Sequence, residues 1–143
     1  MRYFLIFLIS LFLACANQFK STNLSKIQEI ILLQKTACFG NCPEYKITIF
    51  NNGDVKYNGI RNVDVIGKRS LRINKKEIRK IISYAKKINF FIMQDEYTEK
   101  ITDLPTTYIQ INNKKVIDYM GAPIQLKNIE DMIEDLIFKK LTN

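Results

Sequence analysis

Alternating apolar and polar positions make YKITIFNNGDVKYNG the most readable stretch of this chain, two strand-like runs around Asn52 and Gly53 that predict a β-hairpin. A two-residue turn at Asn52-Gly53 would set Ile49 against Lys56 and Ile47 against Asn58, mixing polar and apolar groups on both faces. A three-residue loop from Asn51 to Gly53, with Gly53 left-handed in a bulge, pairs Ile49 with Val55 and Ile47 with Tyr57 instead. The second register is expected. It gathers Tyr45, Ile47, Ile49, Val55 and Tyr57 on one face.

The same patterns place the other elements. Residues 27–36, IQEIILLQKT, form an apolar run with polar ends and read as a buried strand. Weaker strands are expected around Val63 to Ile66 and Ser70 to Ile73, split by Gly67. Asn74 then caps a helix, with Glu77 three residues on in a capping box and Ile78, Ile81, Ile82, Ala85 and Ile88 at helical spacing. That helix ends near Asn89, and Phe90, Phe91 and Met93 supply core material. Residues 94–106 read as a long polar loop. TTYIQINNKKVIDYM is a second hairpin, for which two- and three-residue loops both leave acceptable pairings. After Gly121 and Ala122, a closing helix starts at Pro123 or at Asn128, with Leu126, Ile129, Ile133 and Leu136 inward. Its acids come early and Lys139 and Lys140 late, which suits the helix dipole. The sum is an α+β domain: an antiparallel sheet built from hairpins, with two helices (about 75–88 and 124–140) packed on one face.

The N-terminus follows a different pattern. Arg2 precedes an almost unbroken apolar run from Tyr3 to Ala14, and Cys15 follows. About a dozen apolar residues fall short of the roughly 20 that span a bilayer, so the run reads as a signal peptide ending where bacterial lipoproteins are cut and acylated. Residues 1–14 are then the signal peptide, 15–26 a lipidated tether and 27–143 a single α+β domain. Ala14 and Ala16 also form an A-x-A pattern, whose cleavage after Ala16 would leave a soluble secreted protein.

Charge narrows the partners. The formal charge of +8 becomes +7 without Arg2, and residues 61–87 hold ten Lys or Arg against Asp64 and Glu77. Such a balance favours phosphate-rich partners in general, but export removes nucleic acid from reach. An anchored basic domain is expected to meet the membrane through its lipid, and anionic headgroups, an acidic envelope component such as surface glycans, or an acidic partner protein through its surface. The plainer reading is a solvated basic face that aids solubility. The chain has no histidine, which excludes Ser-His and Cys-His nucleophile pairs and His-bearing zinc sites. No phosphate-cradling glycine pattern occurs.

CFGNCPEYKITIFNNGDVKYNG, TDLPTTYIQI and YMGAPIQL together resemble the domain of unknown function family 6438, found in exported bacterial proteins, over roughly residues 29–137. The resemblance implies the fold and the exported setting, and marks Cys38, Cys42, Pro43, Tyr45, Asp103 and Pro105 as motif positions without assigning them a role. In an oxidising compartment Cys38 and Cys42 are expected to form a disulfide. Their Cα atoms must come within roughly 7 Å, so the chain has to turn back at Gly40 and Asn41 before Pro43. Gly40, Pro43, Asn52 and Gly53 are thus the turn-forming motif residues. A weaker candidate is the acidic loop with Asp95, Glu96, Glu99 and Asp103, which has no EF-hand spacing. The expectation is a non-enzymatic envelope module anchored through Cys15, with no catalytic residues, metal or cofactor. The alternative is a thiol-redox or metal-handling protein using Cys38 and Cys42, since C-x-x-x-C-P resembles a copper-chaperone motif whose histidine ligand has no counterpart here.

Overall fold

A computed structural model describes residues 26–98 and 104–142. Seven strands form one sheet: β1 (Glu29–Lys35), β2 (Glu44–Phe50), β3 (Asp54–Arg61), β4 (Gly67–Arg72), β5 (Glu96–Tyr97), β6 (Thr107–Ile111) and β7 (Lys114–Asp118), in the order β4-β3-β2-β1-β6-β7-β5. Two helices, α1 (Lys75–Lys87) and α2 (Ile124–Leu141), pack on one face. Strand β1 is central: its IILL run supplies apolar side chains to both faces, and both of its edges are filled by hairpins.

The first hairpin has the expected register, Ile47 opposite Tyr57 and Ile49 opposite Val55. Gly53 adopts φ 95°, and a Cβ there would sit 2.6 Å from the Ile73 carbonyl oxygen, so the turn needs glycine on two counts. The second hairpin closes with Asn112 and Asn113 alone, Ile111 facing Lys114, and Asn112 takes the left-handed conformation at φ 52°.

Asn74 caps α1 as expected, its side chain accepting from Lys76 N while Glu77 Oε2 accepts from Asn74 N. The helix ends at Lys87, capped by Ile88, and left-handed Asn89 leads into a short 3-10 turn at Phe90–Ile92 that buries Phe90 completely. Helix α2 takes the earlier of the two expected starts, with Pro123 as its N-cap. Ile31, Leu33, Ile47, Ile49, Ile109, Ile111, Ile129 and Ile133, all fully inaccessible, form the centre of the core between sheet and helices.

Three expectations need correction. Val63 to Ile66 is not a strand: Tyr57 Oη donates to the Val65 carbonyl and Asn62 turns left-handed, so this stretch bends over the covered face and strand pairing resumes only at Gly67. Residues 94–106 are not all loop, because Glu96 and Tyr97 pair parallel to β7 and make the sheet mixed at that edge. In α2, the fully buried residue near the C-terminus is Ile137, with Leu136 only half-buried, because a helix starting at residue 124 turns 126, 129, 130, 133 and 137 inward. Glu130 therefore lies in the core stripe.

Candidate functional site

The covered face of the sheet changes character along its length. In β1 the inward positions run Ile31, Leu33, Lys35, so the period that buries two apolar residues also carries a lysine inward at the strand's end. In α2 the inward stripe carries Glu130, and Glu134 lies one turn further on. Lys35 Nζ is held between them, in contact with Glu134 Oε1 and 3.4 Å from Glu130 Oε2. Tyr45, at the start of β2, donates its hydroxyl to Glu134 Oε1 at 2.5 Å. Lys127 closes the network from solvent, 3.1 Å from Glu130 Oε2 and 3.2 Å from Asp131 Oδ1.

Burial sets the electrostatics. Glu130 is 2% exposed and its Oε1 has no hydrogen-bond partner, so one full acceptor is left unused among the described residues. Desolvation raises its pKa, opposed by the charges of Lys35 and Lys127. Desolvation and the carboxylate of Glu134 push the Tyr45 hydroxyl far above the ordinary tyrosine range, so it stays a proton donor at any physiological pH. Desolvation acts to lower the pKa of Lys127, but the carboxylates of Glu130, Asp131 and Glu134 outweigh it and raise the pKa above the usual lysine value. Asp118, at the end of β7, is raised by desolvation against a hydrogen bond from the Ala122 backbone.

Two pockets flank this cluster, and Pro43 lines both. One, of about 190 Å³, is bounded by Tyr45, Tyr57, Asp64, Glu134 and Phe138. Phe138 sets its edge against both tyrosine rings, at 5.3 and 6.2 Å between centroids. The other, of about 320 Å³, lies between Lys35, Asp118, Tyr119, Lys127 and Glu130. Cys42, Leu104, Pro105 and Thr107 form the rest of its rim with Pro43.

The expected residues are distributed unevenly around this site. Cys38 and Cys42 are bridged with Cα atoms 5.7 Å apart, and Gly40 N turns back to within 3.2 Å of Cys38 Sγ. The bridge stiffens the loop that carries Pro43 over the cluster. Leu104 N donates to Tyr119 Oη at 3.1 Å, tying the segment before β6 to the one after β7. Asn52 and Gly53 lie at the far end of the sheet and take no part. Asp95 pairs with Lys114 on the exposed edge by β7, and Glu96 belongs to β5. Glu99, Asp103 and Cys15 fall outside the described residues. Among the described residues, no three Cys, Asp or Glu gather as a metal site, and no helix is long and apolar enough to cross a membrane.

Lys35, Glu130 and Glu134 were not among the expected site residues. The signal was available: Lys35 and Glu130 are the charged members of otherwise apolar stripes, one at period two and one at helical period.

A family model described as domain of unknown function (DUF6438) matches residues 29–137. The chain belongs to this family. The DUF6438 region contains every residue of the cluster, from Lys35 to Glu134, together with both bridged cysteines. The segments CFGNCPEY, LPTT and YMGAP all reach the rim of the same pocket, through Cys42 and Pro43, Leu104 and Pro105, and Tyr119. No curated protein and no solved structure matches the chain.

Proposed function

We propose that this DUF6438 protein is an exported, lipid-anchored and non-enzymatic binding module of the cell envelope, held by Cys15 and recognising its ligand beneath the bridged loop. The observation that carries the reading is the Cys38–Cys42 bridge itself, since such a bond persists in oxidising compartments and is rare in the cytosol. The apolar run before Cys15 supplies the matching export route. The charged cluster favours binding over catalysis. Lys35 is engaged by two carboxylates, Tyr45 holds its proton far beyond neutral pH, and the unused atom is an acceptor on Glu130. An acceptor buried among paired charges selects a ligand that brings a hydrogen-bond donor.

Mass spectrometry of protein recovered from membranes tests the reading. A diacylglyceryl-modified Cys15 at the mature N-terminus, with Cys38 and Cys42 inaccessible to alkylation until reduction, is the expected result. An intact Met1 with both thiols free overturns it. The second reading, thiol-redox or metal work, rests on the bridge lying in a surface loop whose Phe39 is 91% exposed, where a reductant can reach it. It is favoured if the bridge opens at the potential of a periplasmic thiol oxidoreductase.

A further inference from the structure

The face of the sheet turned away from the helices carries its own pattern, visible only once strand registers align residues from six strands. One lateral row runs Lys68, Asn58, Lys46, Gln34, Tyr108, Ile117. The next runs Ser70, Lys56, Thr48, Leu32, Gln110, Lys115. Neither row holds an acid. Lys46, Lys56, Lys68 and Lys115 are exposed, and none of them forms an ion pair among the described residues. The first three line a depression of about 540 Å³ together with Asn58, Arg69 and Ser70, with Glu29 the acid in its lining.

We propose that this open face docks on anionic phospholipid headgroups of the membrane that anchors the chain, an inference that rests on the anchored reading above for the membrane's proximity and on the lysine rows for its sign. Lys26, the first described residue, is pinned beside the β2–β3 turn, where Asn51 Nδ2 donates to its carbonyl at 3.0 Å. Eleven residue steps separate it from Cys15, at most about 40 Å of extended chain, so a bilayer holding the lipid is within reach of the sheet. The two rows cross five strand intervals, about 24 Å, a breadth that suits an extended charged plane better than a single small anion. Aromatic stacking on a sugar polymer is disfavoured. The ring of Phe50 is covered by Lys56 Nζ at 5.2 Å and that of Tyr108 by Lys115 Nζ at 4.6 Å.

The chain has no tryptophan, so a single indole reports its own surroundings. The experiment reconstitutes the full acylated chain into vesicles containing headgroup-nitroxide lipid, with Ser70→Trp on the open face or Lys80→Trp on the outer side of α1. In phosphatidylglycerol vesicles Ser70→Trp is quenched and Lys80→Trp is not, whereas in phosphatidylcholine vesicles neither is. Lys46→Gln, Lys56→Gln and Lys68→Gln each lower the ratio of docked to undocked protein by roughly fivefold, and added salt does the same. Equal quenching of Ser70→Trp in both lipids, or none in either, overturns the proposal. So does tight binding of a soluble acidic polysaccharide without lipid quenching, which assigns the rows to a polymer. Flotation separates this failure from loss of the anchor: a chain that floats with phosphatidylglycerol alone, in a Lys46-dependent way, removes the anchor and keeps the docking face.

Discussion

The two ends of the covered sheet face are built from the same strands and do opposite things. Toward the β2–β3 turn the facing residues are Ile31, Ile49, Val55 and Ile111, all buried and apolar. Toward the bridged loop the same strands present Lys35, Tyr45, Tyr57 and Thr107, and α2 meets them with Glu130 and Glu134. Apolar burial at the first end drives folding at about 25 cal/mol per Å². Charge burial at the second end gains little, because desolvation of each ion offsets most of the attraction. A fold that needed only stability would have continued the isoleucines, so the charged end is the part of the core on which the proposed binding role rests.

The largest effect comes from unbalancing that end. Lys35→Met takes from Glu134 its paired cation and leaves Glu130 with Lys127 alone, and should cost about 3–5 kcal/mol in urea unfolding. Replacing the set together, Lys35→Met with Tyr45→Phe, Glu130→Leu and Glu134→Leu, should recover most of that loss, since well-packed apolar groups match or exceed a buried ion network. If the joint variant is as unstable as the single one, the charged end is a stabilising element and the contrast with the apolar end fails.

A smaller effect should come from Gly59→Ala in β3. A Cβ there would lie 2.1 Å from the Val65 carbonyl oxygen and 2.5 Å from Tyr57 Oη, so the substitution pushes the 62–66 segment off the sheet and opens the pocket beside Tyr45. Overpacking of this kind costs up to about 3 kcal/mol. Loss of the bridge ranks below it. Cys38→Ser with Cys42→Ser closes no loop in the unfolded chain, and for so short a loop the cost is about 2 kcal/mol, read as a lower urea midpoint with unchanged slope. Local amide exchange should rise at Pro43's neighbours and at Tyr45, while the β2–β3 turn stays protected.

Much of the apolar end was legible in the sequence, and little of the charged end was. Burial alone decided the first hairpin, because one register made a clean face and the other did not. The Asn74 cap was equally plain, since its partner Glu77 is local. What failed to show was long-range. The departure of Val63 to Ile66 from strand geometry depends on Tyr57 Oη claiming the Val65 carbonyl, and β5 exists only because β7 offers it an edge. The bridged loop and its turn could be argued from two cysteines, but the pocket it borders is completed 92 residues away from Cys38 at Glu130. Charges inside apolar stripes were the available clue, and exposed charges elsewhere in the chain hid it.

The finest test of the contrast is pH. Glu130 is the buried carboxylate of the charged end, facing Lys35 from β1, Lys127 from its own helix and Asp118 from β7. Its pKa is raised above 4.5, mainly by desolvation, so the folded protein holds this proton more tightly than the unfolded chain does. The stability it contributes is therefore complete below about pH 4.5 and is lost as pH climbs through the raised folded value. Glu130→Gln removes the titration while keeping the side chain's shape and one carbonyl acceptor. Over that window the wild-type melting temperature should fall more steeply with rising pH than that of the variant, with Asp118 contributing a residual slope of the same sign to both. Parallel profiles would mean that Glu130 ionises as freely inside the fold as outside it, and that the charged end is as wet as the surface.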